Sequence, residues 1–290
     1  MKEITKIIHG LISDFGILIK KKILILPIVQ TPYVQAVKSK VGFWYAGNLY
    51  DSGDIAYGIA ANGLVEQEET ILVQRILKQL PSDYTLLDIG ANTGYYGIMS
   101  AYMYPSSQTY SFEPIKHHCD LITESAYLNR LSNIDINQYA LGETTEEKEI
   151  YTVGTGTTLI KEFAANTNSK VMISIKKLDD VIKEKNITNV QFIKIDVEGF
   201  EFEVLRGSKE FLATSKPILF VEICHTKDGR DGIFKNENFY KTIELVEESG
   251  YVTYILRGAN LEVFDKNTPP EKGVWMFLFI HAENHKHIVL

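Results

Sequence analysis

The sequence predicts an α/β protein built on a doubly wound, mostly parallel sheet, and three observations carry that expectation. Strand-like apolar runs alternate with helical stretches from about residue 82 to residue 280. The segment Leu86-Leu87-Asp88-Ile89-Gly90-Ala91-Asn92-Thr93-Gly94-Tyr95-Tyr96-Gly97 leaves an apolar run, turns through glycines and enters a helix-compatible stretch. Two later runs, Phe192-Ile193-Lys194-Ile195-Asp196 and Ile218-Leu219-Phe220-Val221-Glu222, each end in an acid. Open α/β sheets bind ligands over the carboxyl edge of their strands, where all three features place their polar residues.

The elements follow in order. Residues 1–80 read as a mainly helical N-terminal extension, and residues 81–290 as the ligand-binding domain. Ile4, Ile7, Ile8, Leu11, Phe15 and Leu18 recur at helical spacing among lysines, and Phe43, Trp44, Tyr45 and Tyr50 punctuate a Gly-rich stretch of turns or short strands. Ile71, Leu72, Ile76 and Leu80 give a helix that stops at Pro81. After the glycine turn come a strand at 109–113 stopped by Pro114, a helix at 117–129 and a strand at 134–139. Strands at 149–153 and 170–175, around Gly154-Thr155-Gly156-Thr157-Thr158, break the alternation and read as a small β insertion beside the site. Strands at 190–195, 218–223, 252–256 and 274–280 complete the sheet, with helices at 202–213 and 237–248.

Bulk properties narrow the function. A net charge of −7 leaves no basic surplus to displace counterions, so nucleic acid is not an expected partner. Two cysteines suit a reducing, cytoplasmic location rather than a disulfide framework. The 7-residue run 23–29 is too short to span a bilayer, which needs about 20 apolar residues. The basic N-terminal helix packs on its own domain, across a homo-oligomer, or peripherally on a membrane. His285 and His287 read as a solvated tail.

The glycine spacing separates cofactors. A dinucleotide fingerprint needs glycine where Asn92 and Tyr95 stand, and no Walker phosphate loop occurs. Asp88, two residues before Gly90, suits a ligand with an ammonium and a sulfonium, namely S-adenosylmethionine. Glu113, 23 positions after Gly90, is placed to accept hydrogen bonds from ribose hydroxyls. Asp196, Glu198 and Glu222, with His225 close behind, form an acidic centre at the same edge. Asp196 or His225 is the expected base, and Glu198 and Glu222 would orient acceptor hydroxyls. Magnesium held by Asp196 and Glu222 is an alternative with a thin ligand set, and it is not favoured.

The order L-L-D-I-G-A-N-T-G-Y-Y, S-F-E-P, A-L-G, K-L-D-D-V-I, F-I-K-I-D-V-E-G-F-E and L-F-V-E-I, over residues 84–223, resembles the FkbM-type S-adenosylmethionine-dependent methyltransferases. The resemblance implies a class I methyltransferase fold, Rossmann-like, with a seven-stranded sheet whose last strand is antiparallel. It implies O-methylation of a sugar, glycan or natural product, or N-methylation of a peptide side chain. Carried onto matching positions, it puts Asp88, Gly90, Ala91, Asn92, Gly94 and Tyr95 around the methionine moiety, Glu113 and Pro114 at the ribose, and Ala140 and Leu141 near the adenine. Asp196, Glu198 and Glu222 would face the reaction centre. A non-catalytic cofactor-binding module remains the alternative from a different class.

Overall fold

The computed structural model describes residues 28–30, 35–153, 156–158, 170–224, 236–258, 260–267 and 275–289. The N-terminal helix expected over residues 4–22, the Gly154-Thr155 pair and His225 lie outside them. The chain divides into two compact units, Met1–Val65 and Glu66–Leu290.

The described part of the first unit holds more strand than its helical patterning suggested. Strands β1 (Ile28–Gln30), β2 (Gln35–Lys38) and β3 (Trp44–Gly47) form an antiparallel sheet in that order, followed by α1 (Ile55–Asn62). Asp54 caps α1, its carboxylate accepting from the N–H groups of Ala56 at 2.7 Å and Asn48 at 3.0 Å. Phe43 and Tyr45 are fully buried, so these two aromatics are core, whereas Tyr50 is exposed.

The second unit opens with α2 (Gln67–Leu77), which groups with this unit rather than with the extension. Its sheet is assembled from β4 (Thr85–Ile89), β5 (Gln108–Phe112), β6 (Ile134–Asn137), β11 (Val190–Ile195), β12 (Ile218–Glu222), β13 (Tyr251–Arg257), β14 (Asn260–Val263) and β15 (Met276–His281). The strand order is β14-β13-β15-β12-β11-β4-β5-β6. Pairing is parallel from β12 to β6, and β15 runs antiparallel to both β12 and β13. This is the expected seven-stranded class I arrangement, extended by β14 as an edge hairpin on β13. The intervening helices are α3 (Tyr95–Met103), α4 (Lys116–Leu128), α5 (Leu178–Glu184), α6 (Glu201–Arg206), α7 (Lys209–Ser215) and α8 (Phe239–Glu247). β4 is buried at every position and β12 at all but its last, as expected of strands covered on both faces.

The insertion is a separate sheet of order β7-β10-β8-β9, made by β7 (Ala140–Leu141), β8 (Glu146–Val153), β9 (Gly156–Thr158) and β10 (Lys170–Lys176). Ile150, Ile173 and Ile175 form its small core, with Ala140 and Phe200 packed against them. At the C-terminus the solvated-tail expectation fails for His285, which is 5% exposed and donates its backbone N–H to the His281 carbonyl. Burial and the neighbouring His287 and His281 push its imidazole down to about 4.

Candidate active site

The glycine turn after β4 is held by the protein's own backbone. The N–H groups of Gly90 and Ala91 both donate to the Phe112 carbonyl at 3.0 Å, tying the turn to the end of β5. Gly90 has φ +72°, and a Cβ there would collide with the Asp196 carbonyl oxygen. Gly94 has φ +85°, and a Cβ there would press on Ile122. Glycine is thus required by packing inside the fold, ahead of any ligand.

Glu113, 3% exposed, ends β5 and closes the turn. Its Oε2 accepts from the Asn92 N–H at 2.9 Å, and its Oε1 from the Ile115 N–H at 2.9 Å. The His118 Nδ1 lies 3.2 Å from the same Oε1. The carboxylate is fixed before a ribose arrives, and Oε2, with one N–H partner, keeps a lone pair for it. It lines a cleft together with Gly90, Asn92, Pro114 and His118. One wall is apolar, formed by Phe112, Leu141, Ile150, Ile173 and Phe200. A fixed carboxylate beside an apolar slot, at the carboxyl edge of a parallel sheet, fits a nucleoside such as that of S-adenosylmethionine.

The acidic edge is arranged by strand register. Lys194 pairs with Asp88 across β11 and β4, so the two side chains share one face. Asp196, two residues further on, returns to that face. The β11–β12 register ends at Ile195 opposite Val221, and one more step sets Asp196 beside Glu222. The Lys194 Nζ donates to Asp196 Oδ2 at 2.9 Å, and Asp196 and Glu222 share a hydrogen bond. Burial works against a charged Asp196, yet Lys194 and Glu222 hold its carboxyl below the usual range. The Glu222 carboxyl is driven well upward, first by the Asp196 charge and then by burial. The surroundings thus favour the charged form at Asp196 and the neutral form at Glu222. Glu198 follows with φ +52°, a backbone conformation unfavourable to a side chain, and lines the cleft. Glu201 turns inward at the start of α6, accepts from the Gly199 N–H at 2.8 Å, and is pushed up to about 8 by burial.

Of the residues singled out from the sequence, Gly90, Asn92, Glu113, Pro114, Ala140, Leu141, Asp196 and Glu198 line one cleft. Glu222 stands behind Asp196. Asp88, Ala91, Gly94 and Tyr95 do not reach the cleft. Asp88 is 1% exposed and accepts from the Gly97 N–H at 3.0 Å, so it braces the first turn of α3 from below. Tyr95 is buried, with its hydroxyl oxygen 3.4 Å from the Thr70 hydroxyl on α2. Among the described residues, no group of three or more His, Cys, Asp or Glu is arranged to hold a metal ion, and no helix is long and apolar enough to cross a membrane.

The profile of the methyltransferase FkbM domain matches residues 88–253, more than half of the chain, from Asp88 into the first residues of β13. The chain belongs to the FkbM methyltransferase family. It carries an S-adenosylmethionine-dependent methyltransferase domain. Methyltransferase 1 of Beauveria bassiana is 25% identical over 197 residues, covering 61% of this chain and 76% of that protein. Hexuronic acid methyltransferase AglP of Haloferax volcanii is 24% identical over 168 residues, covering 56% of this chain and 65% of that protein, just under two thirds of its length. Methyltransferase FkbM from Methylobacillus flagellatus superposes with a TM-score of 0.45 and 16% identity, over 68% of this chain and 43% of that one.

This FkbM domain also uses residues that spacing did not single out. Lys194 carried a readable signal, because a charge inside an apolar strand demands a partner. Phe200, Ile150 and Ile173 meet at the cleft only through tertiary packing, and the sequence offers no cue for that. His118, in the first turn of α4, offers none either.

Proposed function

We propose that the protein O-methylates a hydroxyl group of a sugar, glycan or related natural product, with S-adenosylmethionine as donor and Asp196 as proton acceptor. The observation that carries this reading is Asp196 itself. It lines the cleft, is held toward its charged form by the Lys194 ammonium 2.9 Å away, and is a quarter exposed where an acceptor would arrive. Glu113, Asn92, Ala140 and Leu141 would hold the cofactor. When bound, it supplies an electrophilic methyl carbon whose bond to sulfur breaks as the new bond to oxygen forms.

The chain's own residues then have two tasks. Glu198 and the Asp196–Glu222 pair accept from and donate to neighbouring hydroxyls, which places one oxygen behind the methyl group; such placement supplies roughly 7–11 kcal/mol in well-oriented systems. Asp196 takes the hydroxyl proton. An oxygen becomes strongly acidic as it is alkylated, so a carboxylate of low basicity is enough. The relative named for a hexuronic acid supports a carbohydrate acceptor. Screening methyl transfer from labelled S-adenosylmethionine to a panel of sugars, glycans, phenols and peptides tests the reading. Labelling confined to peptide nitrogen, or no S-adenosylmethionine binding by the folded protein, would overturn it.

A further inference from the structure

We propose that Lys194 is a positioning residue for methyl transfer, fastening the cofactor turn to Asp196 and keeping that carboxylate charged for the acceptor. The inference rests on the reading of Asp196 given above. Lys194 is 4% exposed in a strand that is otherwise apolar around it, so its ammonium needs partners for all three protons. It finds three of different kinds. Asp196 Oδ2 is at 2.9 Å, the Gly90 carbonyl at 3.4 Å, and the face of the Tyr96 ring has its centroid 5.5 Å away. The Tyr96 hydroxyl in turn donates to Glu66 Oε2 at 2.6 Å. One ammonium thus joins the glycine turn, the first turn of α3 and the acidic edge.

A purely structural lysine would pair differently. The charged and titratable groups around it are Asp88 on β4, Asp196 just after its own strand, Glu222 on β12, Tyr96 on α3 and Glu66 before α2, with Glu198 and Glu201 beyond Asp196. Asp88 is the most deeply buried of these carboxylates, and its Oδ1 has no hydrogen-bond partner among the described residues. Neutralising the core would direct the ammonium there. Its short bond goes instead to Asp196, the carboxylate that lines the cleft.

The test follows carboxyl protonation by isotope-edited infrared titration of the full chain, with and without S-adenosylhomocysteine. The wild type should show protonated carboxyl at Glu201 and at Glu222 near neutral pH, the second lost in Glu222→Gln. Lys194→Met should add one more, removed again in Lys194→Met/Asp196→Asn, with proton affinity at Asp196 raised at least tenfold. An unchanged Asp196 titration in folded Lys194→Met overturns the proposal. Should that variant fail to fold, the Lys194 ammonium nitrogen resonance, assigned by its loss in Lys194→Arg, decides. It should move both on Asp196→Asn and on adding S-adenosylhomocysteine, and a resonance that answers to neither overturns the proposal. Failure of the wild type to bind S-adenosylhomocysteine would instead count against the methyltransferase reading, and the cofactor-free titration would still judge Lys194.

Discussion

The two halves of the cleft are built on opposite electrostatic plans. In the cofactor half, the Glu113 carboxylate has a backbone N–H on each oxygen, and the turn beside it is pinned to the Phe112 carbonyl. In the acceptor half, Asp196, Glu198, Glu201 and Glu222 crowd together near the buried Lys194 ammonium, and two carboxyls are pushed toward neutrality, Glu201 first by burial and Glu222 first by the Asp196 charge. Glu198 adds a left-handed backbone. On the proposed function, the first half would bind by being satisfied, and the second would react because it is not. Conflict between local preference and global fold is expected to collect where chemistry occurs.

The sharpest way to break this contrast is Asp196→Asn. If the acceptor half does the chemistry, turnover should fall about 10²–10⁴-fold, the usual contribution of a positioned base. S-adenosylhomocysteine affinity should change by less than about threefold. Steady-state kinetics with calorimetry separates the two effects. Full turnover in Asp196→Asn combined with loss in His225→Ala would move the base to the histidine.

Glu113→Ala should do the reverse. A charged hydrogen bond to a ribose hydroxyl contributes about 1.5–3 kcal/mol, so cofactor affinity should fall roughly 10–100-fold by titration calorimetry. Glu113→Gln should fall less, since it keeps an acceptor for the Asn92 or Ile115 N–H. Equal affinity in all three proteins would remove Glu113 from the cofactor site.

The halves also differ in how legible they were. Alternating runs and terminal acids announced the parallel sheet, because strands covered on both faces must be apolar until they reach the edge. β14 escaped notice because Asn260–Val263 is a short and largely exposed edge strand with no apolar alternation to read. Glu113 was legible from its spacing to Gly90. The glycines were found for an incomplete reason: Gly90 and Gly94 are required by the Asp196 carbonyl and Ile122, not only by a ligand's approach. At the acidic edge each acid was visible singly. That Asp196 and Glu222 stand side by side depends on the register between β11 and β12, a long-range pairing that no local pattern encodes. Lys194 lay in plain view inside Phe192-Ile193-Lys194-Ile195-Asp196, and the cost of burying a lone charge was the signal to follow.

The smallest effect sharpens the claim that crowding, not catalysis alone, shapes this edge. Glu201 is buried, with its carboxyl pushed up to about 8, whereas in the unfolded chain it would ionise near its ordinary 4.5. Between those values the folded state binds more protons than the unfolded state, so this group's contribution to stability is complete at low pH and is lost as pH rises toward 8. Glu201→Gln keeps an acceptor for the Gly199 N–H and removes the titration. Its melting temperature should match the wild type near pH 5 and exceed it by on the order of 10 °C near pH 8, given about 1.4 kcal/mol per pKa unit and ~2–4 °C per kcal/mol for a domain of this size. Parallel melting curves across that range would mean that Glu201 reaches water on its own and that the crowding stops at Glu222.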